Sequence, residues 1–598
     1  MRIGRVELGP GAIILTVLVM AGLVYVGLRQ LGILDNILDK LNPLAGRESK
    51  GGVVLDKPER PGDISLASLP PSAVKAPERT ADNPEVTIGV WTWQTVSGII
   101  DAVGGPGKSG EHLDSCLCQA GITNTRLVVQ NDTAEQIKAL AAGQMQLVTT
   151  TGDQAAVDLA GANKLLRGNK AKVIWSSGYS FGEDCLIGPE SWKRDPQLAR
   201  GAVVVTAVPY CDWNVTVDWA ADNQIPVNPD EQIYDPQAIN FVNATDHIEA
   251  AQKYVQNAKV NLRNRASGQM ESFQLDAVAT WTPGDVMAVK DRPSVNYKGR
   301  SEKVQKIVST KEYSYMMPHI LFGHEDWLNQ HRAYVTTLLR CISRSNERIK
   351  TDDQYLRNRV AALNALVFNM EGKGPNFWYT YFQGRVEDGV PLGGSRVNNI
   401  AEVRHLFGLD GNQPLARSIF GITYTDHANR LRKLLPQRLA DYAPVEQVVD
   451  LSFIKDITDE RSAAPVYQAK LEGAQHTGTV VKANYQITFD TGSARVKPSE
   501  LTTLQEIRNL LIRATDTKVI VEGHTDSTGD ASTNLRLSQE RAKAVWQWLK
   551  DSDPSGINIR EARLEGIEGY GPYRPLPGNQ NRNEAEKAAN RRVVIILK

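Results

Sequence analysis

From Val86 onward the chain alternates short apolar runs with longer stretches of helical periodicity. VTIGVWTW, residues 86–93, is apolar at nearly every position, as a strand covered on both faces requires. A helix is expected from Thr95, strands at Thr125–Val129 and Gln146–Thr150, and a helix at Ala134–Ala142 between them. KVIWSSGYS (172–180), GAVVVTA (201–207) and DAVATWTPGD (276–285) continue the series of buried strands, with a helix at Asp246–Asn257. Long amphipathic helices are expected at Trp327–Ile349 and Asp352–Asn369. This alternation predicts an α/β domain, a parallel sheet with helices on both faces, and residues 85–455 are enough chain for two lobes.

Residues 485–598 form a second block that reads β-α-β-α-β-β. Its strands are YQITFDT, KVIVEG, RLEGIEGYG and RRVVIIL, and its helices are Ser499–Ala514 and Thr533–Lys550. Leu504, Ile507 and Leu511 form one apolar stripe on the first helix. The remaining segments are of a different kind. Gly11–Leu28 is a charge-free apolar run that, extended toward Leu34, is long enough to span a bilayer. Arg2 and Arg5 precede it, which predicts a cytoplasmic N-terminus and a chain otherwise outside the inner membrane. Residues 35–84 are rich in proline and read as a linker, and 456–484 as a second, polar one. The expected organisation is therefore 1–34 tip and transmembrane helix, 35–84 linker, 85–455 two-lobed domain, 456–484 linker and 485–598 terminal domain.

At 598 residues the chain exceeds what one core can hold. The formal net charge is zero, so nothing electrostatic points to a nucleic-acid partner. The five cysteines are too few for a disulfide scaffold, and the C-x-C of Cys116 and Cys118 lacks the second pair of a zinc site. Cys185 and Cys211 are the candidate disulfide pair in an oxidising compartment, and an odd count leaves a free thiol. The sequence shows no H-E-x-x-H, G-x-S-x-G or P-loop pattern, so neither an enzyme nor a cofactor or metal site is expected.

The densest chemistry lies in VEGHTDSTGDASTNLRLSQERAKAV, residues 521–545. A strand ends at Val521, glycines permit tight turns, and Asp526 sits on the loop before a helix that carries Arg541. Taken singly, such an Asp is commonly a turn or cap residue and such an Arg a solvated one. Held a few ångströms apart, they would suit a zwitterion. The carboxylate would take an ammonium, and the guanidinium a carboxylate through two parallel hydrogen bonds.

The combination resembles the OmpA-like peptidoglycan-binding domain, whose pattern G-[HY]-T-D-x-x-G then N-x-x-L-S-x-x-R-A is present here. Gly523, His524, Thr525, Asp526 and Gly529 supply the first part, and Asn534, Leu537, Ser538, Arg541 and Ala542 the second. Phe489, Asp490, Gly492, Ser493 and Ala494 supply the upstream F-D-x-G-S-A, and Asn590, Arg591, Arg592 and Val593 the closing N-R-R-V. The resemblance covers about a fifth of the chain. It implies an α/β sandwich that binds the diaminopimelate of peptidoglycan stem peptides, with Asp526 on the amino group and Arg541 on a carboxylate. Phe489, Asp490, Ser493, Thr528, Asn534, Leu537 and Arg592 would line the same cleft, with His524 a structural loop residue.

The order of elements in 85–455 resembles the two-lobed, type II periplasmic solute-binding proteins of ABC importers. VTIGVWTW looks like their first strand and ligand loop, and DAVATWTPGD like an element of nitrate- and sulfonate-type receptors. The resemblance implies a ligand between the lobes. Candidate contacts are Trp91, Thr92 and Trp93; Thr150, Thr151 and Asp153; Ser176 and Ser177; Trp213; and Trp281 with Thr282. The hydroxyls would suit a small oxyanion, whereas each Trp could equally be core and the Thr run a helix cap. The expected whole is a periplasmic binding protein held by the inner membrane and by peptidoglycan. Two other readings stand beside it. A B-type stator subunit of an ion-driven motor would pair with a polytopic membrane protein, but Gly11–Leu28 carries no carboxylate. A scaffold would use the receptor-like domain to bind proteins.

Overall fold

The computed structural model describes residues 65–460 and 481–598, except 371–372, 384, 388–389, 393, 412, 459, 486, 488, 490–491, 515–516, 554–555, 557 and 577. Among the described residues no helix is long and apolar enough to cross a membrane; the Gly11–Leu28 run lies outside them.

Residues 86–455 form two sheets. The first has six strands in the order Gly394–Val397, Ala171–Phe181, Pro318–His324, Leu147–Thr151, Val86–Val90 and Thr125–Val129. Val86–Val90 pairs in parallel with both of its neighbours and is buried at all five positions, which is why its sequence shows no alternation. Pro318–His324 runs antiparallel between two strands of the opposite direction, so the sheet is mixed rather than parallel. The second sheet has seven strands, with Val203–Thr206, Ala277–Thr280 and Cys185–Pro189 at its centre. Val203–Thr206 pairs in parallel with Ala277–Thr280 and Ile239–Asn243, whereas Cys185–Pro189 is antiparallel to both Ala277–Thr280 and Arg300–Ser309. The chain crosses from the first sheet to the second at 182–184 and returns at 310–317, which makes two lobes joined by two short crossings.

Two long helices differ from expectation. Trp327–Ile349 is broken at His331 into Glu325–Gln330 and Arg332–Thr351, and 352–369 contains a π-turn over Leu356–Val360. Residues 65–84 lie against the first lobe rather than forming a free linker. Arg359 donates to Pro70 O (2.8 Å) and Ser72 N–H to Asp114 (3.1 Å). The disulfide joins Cys116 to Cys341, and Cys185 and Cys211 are both free, so the expected pair is corrected. Burial explains this: Cys185 Sγ is turned to Thr280 O inside the second lobe, while Cys211 faces Thr151 across the seam. The bond spans 225 residues of chain. Its reduction by dithiothreitol should cost about 2–4 kcal/mol, read as a lower urea midpoint; an unchanged midpoint would mean the thiols are unlinked.

The terminal domain has four strands in the order Val481–Tyr485, Val593–Leu597, Val519–Gly523 and Leu564–Gly569. The first strand lies upstream of the expected YQITFDT, and Glu584–Asn590 adds a helix between the last two strands. Helix Leu501–Arg513 buries Leu504, Ile507 and Leu511 as its stripe predicts. Buried Arg563 donates to Leu511 O (2.8 Å) and Ala514 O (2.6 Å), satisfying the carbonyls that this helix end leaves open.

This domain is docked through charge on the second lobe, at Asp222, and on the helix Ile419–Leu434, at Asp426. Arg513, 2% exposed, donates to Asp222 (2.9 Å) and Asp426 (3.1 Å), and Tyr313 donates to Asp222 (3.1 Å). Asp222 ends the helix Cys211–Asp222, whose Asp212, Asp218 and Asp222 are all buried. Asp218 in turn meets His427 (2.9 Å) and Arg430.

Candidate functional site

The cleft of the terminal domain is built by a close crossing. At Gly523, the last residue of its strand, a Cβ would meet Ser538 O at 2.0 Å, so only glycine lets helix Ala531–Asp551 pass there. The loop that follows turns at Gly529, with φ of +91°, and Asp530 caps the helix by accepting from Thr533 N–H (2.8 Å). Asn534 donates to Thr528 O (2.8 Å) and holds the loop to the helix.

This brings Asp526 and Arg541 together at one side of the strand, both nearly buried. Asp526 accepts from Thr528 N–H (2.8 Å) and pairs with Arg591 (2.6 Å). Burial pushes its carboxyl up, but the Arg591 and Thr528 hydrogen bonds outweigh that and hold it below the usual carboxylate range. Arg541 donates Nε–H to Ser493 O (3.1 Å) and lies over the Phe489 ring at 4.9 Å. Burial lowers its pKa, and the charge of Asp526 works against that. Leu537 is half-buried on the same helix and Thr528 is exposed at the loop. Asp490 lies outside the described residues.

Arg591, not Arg592, completes the charge cluster, and it also meets Glu584 (2.6 Å). The N-R-R run shows two arginines and gives no reason to prefer either; Arg591 caps the C-terminal end of the helix Glu584–Asn590, and both precede the final strand. Arg592 donates to Arg574 O (3.2 Å) and lies near Glu522 and His524, with burial lowering its pKa to about 10. His524 is buried and stacked on Tyr570, a structural position as expected.

The seam between the lobes gathers many of the other candidates. Trp93 Nε1–H donates to Glu183 (3.0 and 3.1 Å), and both Trp91 and Trp93 pack against buried His319. Thr92 N–H donates to Asn131 (2.8 Å). Asp153 accepts from Asn214 of the second lobe (2.7 Å), and Gln154 donates to Pro209 O (2.6 Å). Asp153 therefore does not cap the helix Ala155–Leu165, which has no side-chain cap. Thr151 Oγ1 is 4.0 Å from Cys211 Sγ. Trp281 packs on His247 at 4.9 Å, and Thr282 N–H donates to Glu183 O (3.1 Å).

Other candidates are engaged elsewhere. Thr150 donates to Asp158, Ser176 accepts from Asn398 (2.9 Å), Ser177 O accepts from Asn346 (3.2 Å), and Trp213 packs on Phe241 in the second lobe. Three carboxyls that the sequence did not single out, Glu183, Asp184 and Asp212, join the candidate Asp153 at the seam. Burial pushes Glu183 up to about 7 and Asp184 well above its ordinary value. The signal available in the sequence was an acid or histidine inside an otherwise apolar run, as in FGEDCLIG and MMPHILFG. Among the described residues no group of His, Cys, Asp and Glu is arranged to hold a metal ion.

Residues 488–591 match the OmpA family. The probable lipoprotein YiaD of Escherichia coli (strain K12) is 39% identical over 111 residues, 19% of this chain and 47% of that protein. The peptidoglycan-binding protein ArfA of Mycobacterium bovis is 30% identical over 111 residues, 19% of this chain and 32% of that protein. The chain thus spans about half the length, or less, of these relatives. The periplasmic aliphatic sulphonate binding protein SsuA of Escherichia coli superposes on 64% of this chain and 95% of its own, at 12% identity and a TM-score of 0.37.

Proposed function

We propose that the chain is a binding protein of the bacterial envelope, held non-covalently to peptidoglycan by its terminal domain and carrying a two-lobed receptor domain. The observation that carries the wall-binding half is the cluster of Asp526, Arg541 and Arg591 in one cleft. It sets one carboxylate among two guanidinium groups. A diaminopimelate side chain ends in an ammonium and a carboxylate, and this cluster offers a partner for each. The relatives named above and the single disulfide both fit a periplasmic location. Gly11–Leu28 would serve as the inner-membrane anchor.

No nucleophile–base pair is evident in either site, so the activity proposed is binding and not catalysis. The two lobes with two crossings support a ligand at the seam. The oxyanion expected from the Thr and Ser hydroxyls fits the seam poorly, because the side chains gathered there are carboxyls. The test of the wall-binding half is co-sedimentation of the full chain with purified peptidoglycan, with free diaminopimelate as competitor. Retention that diaminopimelate reduces is the expected result; no retention would refute this half.

A further inference from the structure

The receptor reading leaves the ligand open, and the seam carries a chemical bias that the sequence did not show. Glu183 and Asp184 sit on the first crossing, Asp153 lies in the turn between strand Leu147–Thr151 and helix Ala155–Leu165 of the first lobe, and Asp212 is in the first turn of helix Cys211–Asp222 of the second. All four are less than a tenth exposed. His247 pairs with Asp212, and Lys306 pairs with the neighbouring Asp285 (2.9 Å). Among the described residues, no lysine or arginine forms an ion pair with Glu183, Asp184 or Asp153. Their hydrogen bonds come from neutral donors, Trp93 and Ser395 to Glu183, Ser180 to Asp184 and Asn214 to Asp153, with the charge of Arg396 also acting on Glu183. Buried acids so held keep their protons or take up a positive charge.

Aromatic rings accompany the acids. Trp93 is bonded to the Glu183 carboxyl, and Trp281 adjoins Thr282, which is bonded to the Glu183 carbonyl. Trp91 and Trp281 are half-buried, and Tyr210, 41% exposed, packs on His247, which packs on Trp281. Independent of the acids, several buried polar atoms here lack a partner: Asp153 Oδ1, both ring nitrogens of His319, and Nε1 of Trp91 and Trp281. Such atoms cost free energy in a finished core and are what a ligand would satisfy.

We propose that the seam between the lobes binds a small organic cation, an amine or quaternary ammonium, with Trp91 and Trp281 supplying aromatic faces and Glu183, Asp184 and Asp153 the opposite charge. Aromatic faces attract an ammonium through their quadrupole, and a desolvated ammonium is stabilised most where carboxylates are close. Inorganic cations have no use for the aromatic faces, and anions would meet the carboxyls. The proposal rests on the receptor reading above.

The test is isothermal titration of the full chain with choline, putrescine, calcium chloride, sodium sulfate and propanesulfonate. The expected result is saturable binding of choline or putrescine, weakened at least about tenfold by Glu183→Gln. That change is isosteric and leaves an oxygen for Trp93. Trp281→Phe is the second variant, and an unchanged circular dichroism spectrum and urea midpoint report that both variants are folded. Binding of sulfate or propanesulfonate alone overturns the cation proposal and leaves the receptor reading standing. Binding of calcium alone, or ammonium binding untouched by both variants, also overturns it. Silence from every probe overturns both the cation proposal and the receptor reading.

Discussion

Replacing Arg541 with alanine removes the full chain from the peptidoglycan pellet while leaving it folded. Arg541 offers its guanidinium from a buried position, fixed by Ser493 O and the Phe489 ring, so it is oriented before a ligand arrives. Hydrogen bonds to a charged group contribute about 1.5–3 kcal/mol each, so losing a two-bond fork costs about 3 kcal/mol or more, about a hundredfold in affinity. Arg541→Lys keeps the charge and loses the fork, and should lose most of the binding too. Asp526→Asn should lose the ammonium partner and free Arg591 from its ion pair. Co-sedimentation measures retention, and circular dichroism checks the fold. Wild-type retention by both Arg541→Lys and Asp526→Asn would move the site elsewhere.

The same cluster sets the pH range. The Asp526 carboxyl is held below the ordinary carboxylate value, so it remains ionised at every pH above that lowered value. Retention should therefore be level from neutral pH down to about 4 and fail only in stronger acid. A loss of retention between pH 7 and 5 would point to a group other than Asp526.

Arg513→Ala should be the most destabilising single change in the interface between the terminal domain and the second lobe. It leaves Asp222 and Asp426 without their shared guanidinium. Removing one partner of a buried pair costs about 3–5 kcal/mol, because the remaining charge stays buried. The loss should appear as a lower midpoint in urea denaturation. Asp222→Asn combined with Arg513→Gln should recover much of the loss, since the uncompensated charge is then absent. A fully additive double variant would show that Asp222 and Arg513 do not interact. Retention on peptidoglycan should be unchanged in both variants, because Arg513 ends the helix Leu501–Arg513 and the cleft is formed by other elements.

The organisation of the chain was legible wherever local pattern and local chemistry coincide. Strand Val86–Val90 and the stripe of Leu504, Ile507 and Leu511 follow from local pattern alone, since each is buried where the sequence is apolar. Asp526 and Arg541 were legible because one loop and the helix after it carry both residues. Cys116–Cys341 was not legible, because 225 residues separate partners that two helices bring together. Nor was the broken helix at His331, where local periodicity continues across the break.

The sequence by itself determined most of the strands and helices and the turn glycines of the Asp526 loop. These depend on neighbours within about one helical turn or one strand. The tertiary structure alone decided that Arg591, at the C-terminal end of the helix Glu584–Asn590, is the ion-pair partner of Asp526 while Arg592 donates to Arg574 O, because folding brings that helix end to the Asp526 loop. It alone decided that Arg513 reaches Asp222, and that Glu183, Asp184, Asp153 and Asp212 share one seam. Electrostatic character at a seam belongs to the set of side chains that folding gathers there, and no stretch of sequence contains that set.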